Sequence, residues 1–425
     1  MATIVVEGGT PLRGDVRTSG SKNAALPILA AVLLNEQPVG LANVPELKDV
    51  AIVSDVLRSL GCTVSAGNGD GMVQVDAGKI TSTAPPYELV NQMRASFLVL
   101  GPLLARFGEA AVPLPGGCAI GARPVGEHLA ALETLGAEIT QEAGCIVARA
   151  KRLKGTEVYL NIVSVGATEN TVMAAALADG TTTIYNAAEE PEVVDLCDFL
   201  TRCGVQIEGT GSSTITVHGQ RRISAAVDYN VIPDRIEAGT YLLAIVGTGG
   251  SGAVNGVVPD HLEPLLLKLR ECGVHVETAK DSLHVENGHG LKPTRLRTAP
   301  YPGFPTDLQP QFTTVLTGAE GVSTVQETIF EKRLAHVPEL RRMGARIEIQ
   351  SGNTAIIEGT PGKLTGVPVE AYDLRCSAAL VIAGLIARGE TRIDGLKHVV
   401  RGYERMPEKF AALGGKVRYE TEEVA

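Results

Sequence analysis

Tryptophan is absent from this 425-residue chain, and aromatic residues together make up only 4% of it. Base-stacking platforms for nucleic acid, which need exposed aromatic faces, are therefore not expected. A surplus of positive charge is missing as well. The formal net charge is −10, which argues against a broad nucleic-acid-binding face but leaves room for a local basic pocket around a small anion. No apolar run reaches the roughly 18 residues of a membrane span, and the N-terminal residues do not read as a signal peptide. The seven cysteines are scattered, with no C-x-x-C pair and no histidine at metal-ligand spacing. Neither a zinc site nor a disulfide framework is expected, and reduced thiols in a cytoplasmic protein are. With 44% hydrophobic and 20% charged residues, the composition is that of a globular protein of two or three domains.

What is present is a repeat. A helical phrase, a glycine and a short β-like run recur at Leu57-Arg-Ser-Leu-Gly61, Leu132-Glu-Thr-Leu-Gly136 and Leu200-Thr-Arg-Cys-Gly204. They return at Leu269-Arg-Glu-Cys-Gly273, Leu340-Arg-Arg-Met-Gly344 and Ala411-Ala-Leu-Gly414. The glycines lie 75, 68, 69, 71 and 70 residues apart. A glycine in the left-handed conformation ending a helix before a strand accounts for each one, and six at near-constant spacing are an internal repeat. Hairpin-like runs follow the glycine, and an apolar small-residue helix precedes it, as at 23–34, 95–105, 171–178, 236–246 and 377–387. Each unit reads as β-α-β-α-β-β. Units of this size need neighbours to bury their faces, and two groups of three divide naturally near residue 230.

The repeat also carries charge in register. Just before the apolar helices stand Lys22, Arg94, Thr168 with Glu169, Arg235, Asp307 and Arg375, spaced 72, 74, 67, 72 and 68 residues apart. Cations at helix N-termini oppose the helix dipole, so their recurrence points to a bound anion. A second series, between strand and glycine-capped helix, holds Lys48, Cys118 with Arg123, Glu189 with Glu190, Asp260, Arg333 and Arg401. Arginine suits a bidentate grip on phosphate and carboxylate, so a ligand bearing both fits this inventory. Asp307 is the carboxylate among these cations and a candidate base. The loop Pro115-Gly-Gly-Cys-Ala-Ile-Gly-Ala-Arg-Pro124 sets Cys118 five residues from Arg123, a setting that lowers a thiol pKa.

On these residues the chain resembles the enolpyruvyl transferase family, in the branch acting on UDP-N-acetylglucosamine at the opening of peptidoglycan synthesis. The resemblance runs essentially end to end. It is carried by the cysteine loop, Ser19-Gly-Ser-Lys-Asn23, Arg94-Ala-Ser-Phe, Ser164-Val-Gly-Ala-Thr168 and Asp234-Arg-Ile-Glu-Ala-Gly239. Phe304-Pro-Thr-Asp307, Glu327 to Arg333, Asp373-Leu-Arg375 and Arg401-Gly-Tyr-Glu-Arg405 complete it. It implies a two-domain inside-out α/β barrel of six β-α-β-α-β-β repeats, three per domain. The expected domains are residues 22–231, and residues 1–21 together with 232–425, so that the chain crosses twice between them.

The implied reaction transfers the enolpyruvyl group of phosphoenolpyruvate to the 3′-hydroxyl of UDP-N-acetylglucosamine, with no metal or organic cofactor. Lys22, Arg123 and Arg401 would hold the phosphate of phosphoenolpyruvate, Arg333 and Arg375 its carboxylate, and Asn23 would stand beside them. Contacts to the nucleotide sugar are implied for Asn23, Arg94, Arg123, Pro124, Val125, Glu127, Ser164, Val165, Gly166, Asp307 and Ile329. Asp307 would take the hydroxyl proton, Cys118 would deliver a proton to the methylene carbon or assist product release, and Lys22 would share in catalysis. Fosfomycin would alkylate Cys118. One departure stands out: where the family has Asp, a large apolar residue and His after Arg-Pro-Val, this chain has Gly126, Glu127 and His128. That position helps recognise uracil. Two alternatives stay open, a paralogue acting on another uridine nucleotide and a catalytically silent nucleotide-binding homologue.

Overall fold

The computed structural model describes residues 2–67, 69, 71–115, 120–121, 125–288 and 290–421. Each of the six repeat glycines has positive φ: +105° at Gly61, +95° at Gly136, +99° at Gly204, +86° at Gly273, +102° at Gly344 and +76° at Gly414. The hydrogen bonds around them are those of the Schellman cap. Cys62 N–H reaches back to the Leu57 carbonyl at 3.0 Å, and Gly61 N–H reaches that of Arg58 at 3.0 Å. The same pair recurs from Ala137 to Leu132, Val205 to Leu200, Val274 to Leu269, Ala345 to Leu340 and Gly415 to Phe410. A left-handed residue without a Cβ is what turns each helix into the next strand, and the six phrases are one structural device used six times.

Six sheets follow from the six units, five of four strands and one of three among the described residues. In each four-stranded sheet a short strand runs parallel to its neighbour and the remaining pairings are antiparallel. The sheet of Glu109–Pro113, Cys145–Arg149 and Glu138–Glu142 lacks the parallel strand; in its place a single bond joins Ala111 N–H to the Thr83 carbonyl at 3.0 Å. Strands alternate buried and exposed residues, as along Val73–Asp76, so each sheet has one dry face.

The dry faces pack on helices that are buried nearly all round. Arg235–Gly247 buries every residue from Arg235 to Val246, and Leu374–Ile386 buries every residue from Arg375 to Leu385. A helix with no polar face belongs inside, which is the inside-out arrangement. Small residues allow close packing: a Cβ on Gly239 would come within 2.6 Å of Leu308 Cδ1. The Gln309–Leu316 helix packs on both Arg235–Gly247 and Leu374–Ile386.

Contacts divide the chain into two compact units. One holds Met1–Ser19, Cys118–Ala122 and Pro233–Ala425; the other holds Gly20–Gly117 and Arg123–Ile232. We call them the C-terminal and N-terminal units. Each has its own hydrophobic cluster. The strand Ala2–Glu7 lies in the C-terminal unit between Glu390–Asp394 and Lys416–Thr421, antiparallel to both. The strand Arg13–Arg17 runs parallel to Ser251–Asn255 in the same unit.

Candidate functional site

In the C-terminal unit the beginnings of three buried helices carry the predicted charges. Arg235 opens the Arg235–Gly247 helix, capped by Asp234, whose Oδ1 accepts from the N–H of Ile236 at 2.8 Å and of Glu237 at 2.9 Å. Its guanidinium stands 5.4 Å over the Tyr301 ring. Asp307 lies in the 3-10 turn Thr306–Leu308 that runs into Gln309–Leu316. Arg375 is the second residue of Leu374–Ile386, capped by Asp373, which accepts from Arg375 N–H at 2.7 Å and Cys376 N–H at 3.1 Å.

Because these helices pack together, Asp307 meets two guanidinium groups. Arg375 Nη2 donates to Asp307 Oδ2 at 2.7 Å, and Arg333 Nη2 donates to Oδ1 in a still closer contact. Arg333 also donates from Nε to the Thr306 carbonyl at 3.2 Å and lies 3.8 Å from Asp373 Oδ1. Both arginine side chains are buried, at 3% and 5% exposure, while Asp307 keeps 27%. Solvent thus reaches the fork from the carboxylate side. Burial works against the Arg375 charge, yet Asp307 facing it, helped by Tyr403 and Asp234, holds its pKa above the ordinary guanidinium range. A group so held stays cationic at any working pH.

Three residues to which the sequence assigned no site role organise this cluster. Glu327, 2% exposed, accepts from Thr298 and Thr306 hydroxyls at 3.0 Å each and from the N–H groups of Ile329 at 2.7 Å and Phe330 at 3.2 Å. It thereby fixes both the turn that carries Asp307 and the half-exposed Ile329. His336 is buried and donates from Nδ1 to the Arg333 carbonyl at 3.2 Å; burial pushes its pKa down to about 4, so the ring is neutral. Asp373 is legible as a helix cap two residues ahead of Arg375. Arg401 sits partly buried in the turn between Leu396–Val399 and Met406–Ala412.

In the N-terminal unit Lys22 opens the helix Lys22–Ala31, and Asn23 follows it. The Ser21 hydroxyl caps this helix by accepting from Ala24 N–H at 3.3 Å. Lys22 Nζ lies 3.3 Å from Asp49 Oδ2, a buried carboxylate in the first turn of Lys48–Ser59. Asp49, next to Lys48 in sequence, was not expected as a partner; nothing in the repeat register marks it. Arg94 opens the 3-10 helix Arg94–Val99. Ser164 is the cap of Val165–Ala175, accepting from Ala167 N–H at 3.3 Å, so Val165 and Gly166 form the first turn.

That cap corrects one expectation. Thr168 and Glu169 do not precede their helix but lie inside it, and both are buried. The Ser164 hydroxyl starts the helix a turn earlier than the apolar run alone indicates.

Val125 caps the helix Gly126–Thr134. The Glu127 carboxylate accepts from the Asn161 backbone N–H at 2.8 Å, with Asn161 Nδ2 at 3.4 Å. Gly126 is exposed, and among the described residues nothing would lie within 4 Å of a Cβ there. His128 is buried with Nδ1 3.2 Å from Asn170 Nδ2, and Asn170 Oδ1 accepts from Gly101 N–H at 2.7 Å. Cys118, Arg123 and Pro124 lie outside the described residues. Of the same loop, Ile120 accepts from Lys332 N–H at 3.0 Å within the C-terminal unit.

Among the described residues no cluster of three or more His, Cys, Asp or Glu is arranged to hold a metal ion, and no helix is long and apolar enough to cross a membrane. The arrangement of Asp307 between two buried arginines can do two things. It offers a two-pronged grip for a carboxylate, and it holds a carboxylate that can take a proton.

Comparison with known proteins gives the same direction. The family description of EPSP synthase (3-phosphoshikimate 1-carboxyvinyltransferase) matches residues 6–410. A UDP-N-acetylglucosamine 1-carboxyvinyltransferase of Carboxydothermus hydrogenoformans is 52% identical over 419 residues, covering 98% of this chain and 99% of that one. One from Caldanaerobacter subterraneus is 49% identical over 413 residues, covering 97% and 98%. Among solved structures, the enolpyruvyl transferase NikO from Streptomyces tendae superposes with a TM-score of 0.90 at 26% identity, covering 99% of each chain.

Proposed function

This chain belongs to the 1-carboxyvinyltransferase (enolpyruvyl transferase) family, and from that membership we propose that it transfers the enolpyruvyl group of phosphoenolpyruvate to the 3′-hydroxyl of UDP-N-acetylglucosamine. The hydroxyl oxygen bonds to C2 of phosphoenolpyruvate while C3 gains a proton. The resulting tetrahedral ketal loses a proton from C3 and expels inorganic phosphate, restoring the vinyl ether.

The observation that carries this reading is the fork of Arg333 and Arg375 on Asp307. A carboxylate between two guanidinium groups is a poor base, because both charges favour its ionised form. The substrate carboxylate enters the fork from its solvent side and takes over guanidinium N–H groups. Asp307 is thereby released and becomes more basic as the hydroxyl is to be deprotonated. Lys22, Arg123 and Arg401 hold the phosphate, and fixed cations around a leaving phosphate stabilise charge where it develops. Cys118 delivers the proton to C3. Asn23, Arg94, Val125, Glu127, Ser164, Val165, Gly166 and Ile329, with Pro124, contact the nucleotide sugar. A cytoplasmic place of action suits the free cysteines found among the described residues.

Two measurements test the assignment. With saturating phosphoenolpyruvate and UDP-N-acetylglucosamine the protein releases phosphate and forms the enolpyruvyl nucleotide, seen by mass spectrometry; no release would sink the reading. Fosfomycin labels one thiol, and Cys118→Ser abolishes the label. Burial pushes the thiols of Cys62, Cys197, Cys203, Cys272 and Cys376 up to about 12, so they do not compete at neutral pH.

A second reading, another uridine nucleotide as acceptor, is favoured by one feature. Among the described residues nothing lies within 4 Å of a Cβ at Gly126, and the nearby Glu127 carboxylate is engaged by Asn161. A panel of acceptor nucleotides decides, and Gly126→Asp should favour UDP-N-acetylglucosamine if the glycine has shifted the preference.

A further inference from the structure

Tyr403 is 2% exposed, and its hydroxyl lies where the three inner helices of the C-terminal unit meet. Thr240 Oγ1 of Arg235–Gly247 is 2.9 Å from it, Gln311 Nε2 of Gln309–Leu316 is 3.3 Å away, and Arg375 Nη1 of Leu374–Ile386 is 3.3 Å away. A tyrosine hydroxyl has one proton and two acceptor positions, whereas guanidinium and amide nitrogens only donate. The Arg375 and Gln311 contacts therefore take both lone pairs, and the phenol proton goes to Thr240. Thr240 in turn donates to the Ile236 carbonyl at 2.8 Å. Gln311 Nε2 also donates to the Asp307 carbonyl at 2.9 Å. A flipped amide would set Oε1 against that carbonyl, so the orientation is fixed. Gln311 Nε2 also lies 3.3 Å from Thr240 Oγ1, so its two protons are shared among three acceptors.

The two ends of the Arg375 guanidinium are thus held differently. Nη2 faces the partly exposed Asp307, and Nη1 faces a buried neutral oxygen that no solute reaches. We propose that Tyr403 is the fixed anchor of Arg375: a positioning residue that keeps Nη1 in place while Nη2 exchanges the Asp307 carboxylate for that of the substrate. Through Gln311 the same hydroxyl steadies the backbone of Asp307. One buried oxygen so couples the carboxylate grip to the base. This rests on the function proposed above.

Tyr403→Phe removes that single oxygen and leaves Arg375 Nη1 short of an acceptor, while Gln311 Nε2 keeps the Asp307 carbonyl and Thr240 Oγ1. The KM for phosphoenolpyruvate should rise about ten- to a hundredfold, the range for a lost hydrogen bond to a charged group, with the KM for the nucleotide unchanged. Thr240→Val takes away the acceptor for the phenol proton but none of the bonds of Arg375, and raises the same KM by a smaller factor. The double variant should be no worse than Tyr403→Phe, since both act through one network. Additive effects, or an unchanged KM for phosphoenolpyruvate beside an active wild type, would overturn the proposal. An inactive wild type would instead overturn the function. The crystal structure of Tyr403→Phe decides the anchor independently of activity: Arg375 should leave its present position, and its staying there would refute the role.

Discussion

Around the Gln309–Leu316 helix, Arg333 and Arg375 lie buried with Asp307 between them; around the Val165–Ala175 helix, Glu169 lies as deeply buried with Glu192 and Glu190 near it. The first cluster neutralises its charges by pairing. In the second, burial, then Glu192 and Glu190, raise the Glu169 pKa well above the ordinary carboxylate value, so Glu169 holds its proton. Asp195 shifts in the same direction, pushed up to about 6 by burial despite the hydrogen bonds from Tyr229 and Ile232, so it holds its proton only in mild acid. Pairing keeps charge available for a ligand to compete for, whereas protonation removes it. Of these two clusters, the one with exchangeable ion pairs is the one proposed to grip the substrate carboxylate and to hold the base.

The largest expected effect comes from removing one member of each cluster without changing its volume much. Arg375→Met breaks a buried pair and should cost about 3 kcal/mol of stability, read from the urea midpoint. Glu169→Gln replaces a group that is already neutral and should cost under about 1 kcal/mol. Equal losses would mean that Glu169 is ionised and paired, and the contrast between the units would fall.

Acid sharpens the comparison through opposite signs. His336 of the C-terminal unit titrates near 4 instead of 6.5, so its contribution is present above 6.5 and is lost as pH falls from there towards 4. Asp195 of the N-terminal unit titrates near 6 instead of 3.8, so its contribution is present below 3.8 and is lost as pH rises towards 6. Each spans on the order of 3 kcal/mol. Stability differences between wild type and His336→Gln, and between wild type and Asp195→Asn, should slope in opposite directions between pH 4 and 6. Parallel slopes would show that burial does not hold both groups towards their neutral forms.

The smallest expected effect tests what the units have in common. Gly136→Ala and Gly273→Ala, one in each unit, meet no steric obstacle within 3.5 Å but must hold φ of +95° and +86°. Each should cost about 1 kcal/mol, and alike. A clear difference would mean that the caps are not equivalent after all.

The caps were legible in sequence because a left-handed residue between helix and strand is a local demand, and glycine meets it best wherever it occurs. The helix-opening charges Lys22, Arg94, Arg235 and Arg375 were legible for a similar reason, since register along the chain fixed their place. Thr168 and Glu169 were misplaced because one serine hydroxyl starts their helix earlier than hydrophobicity does. The pairing of Lys22 with Asp49 was not legible, being set by how two helices pack. Tyr403 is the clearest case: its partners Thr240, Gln311 and Arg375 lie 163, 92 and 28 residues away, and only the meeting of three helices gives the hydroxyl a role.

The place of the strand Ala2–Glu7 bears on how the chain is made. It lies between Glu390–Asp394 and Lys416–Thr421, so this sheet cannot close until synthesis has passed residue 421. The N-terminal unit needs nothing beyond Ile232. On the ribosome one half can therefore be folded while the other still waits, its first strand, apolar at Ile4, Val5 and Val6, exposed for nearly the whole of translation. That hexapeptide stays without its sheet partners until the last strand has been made.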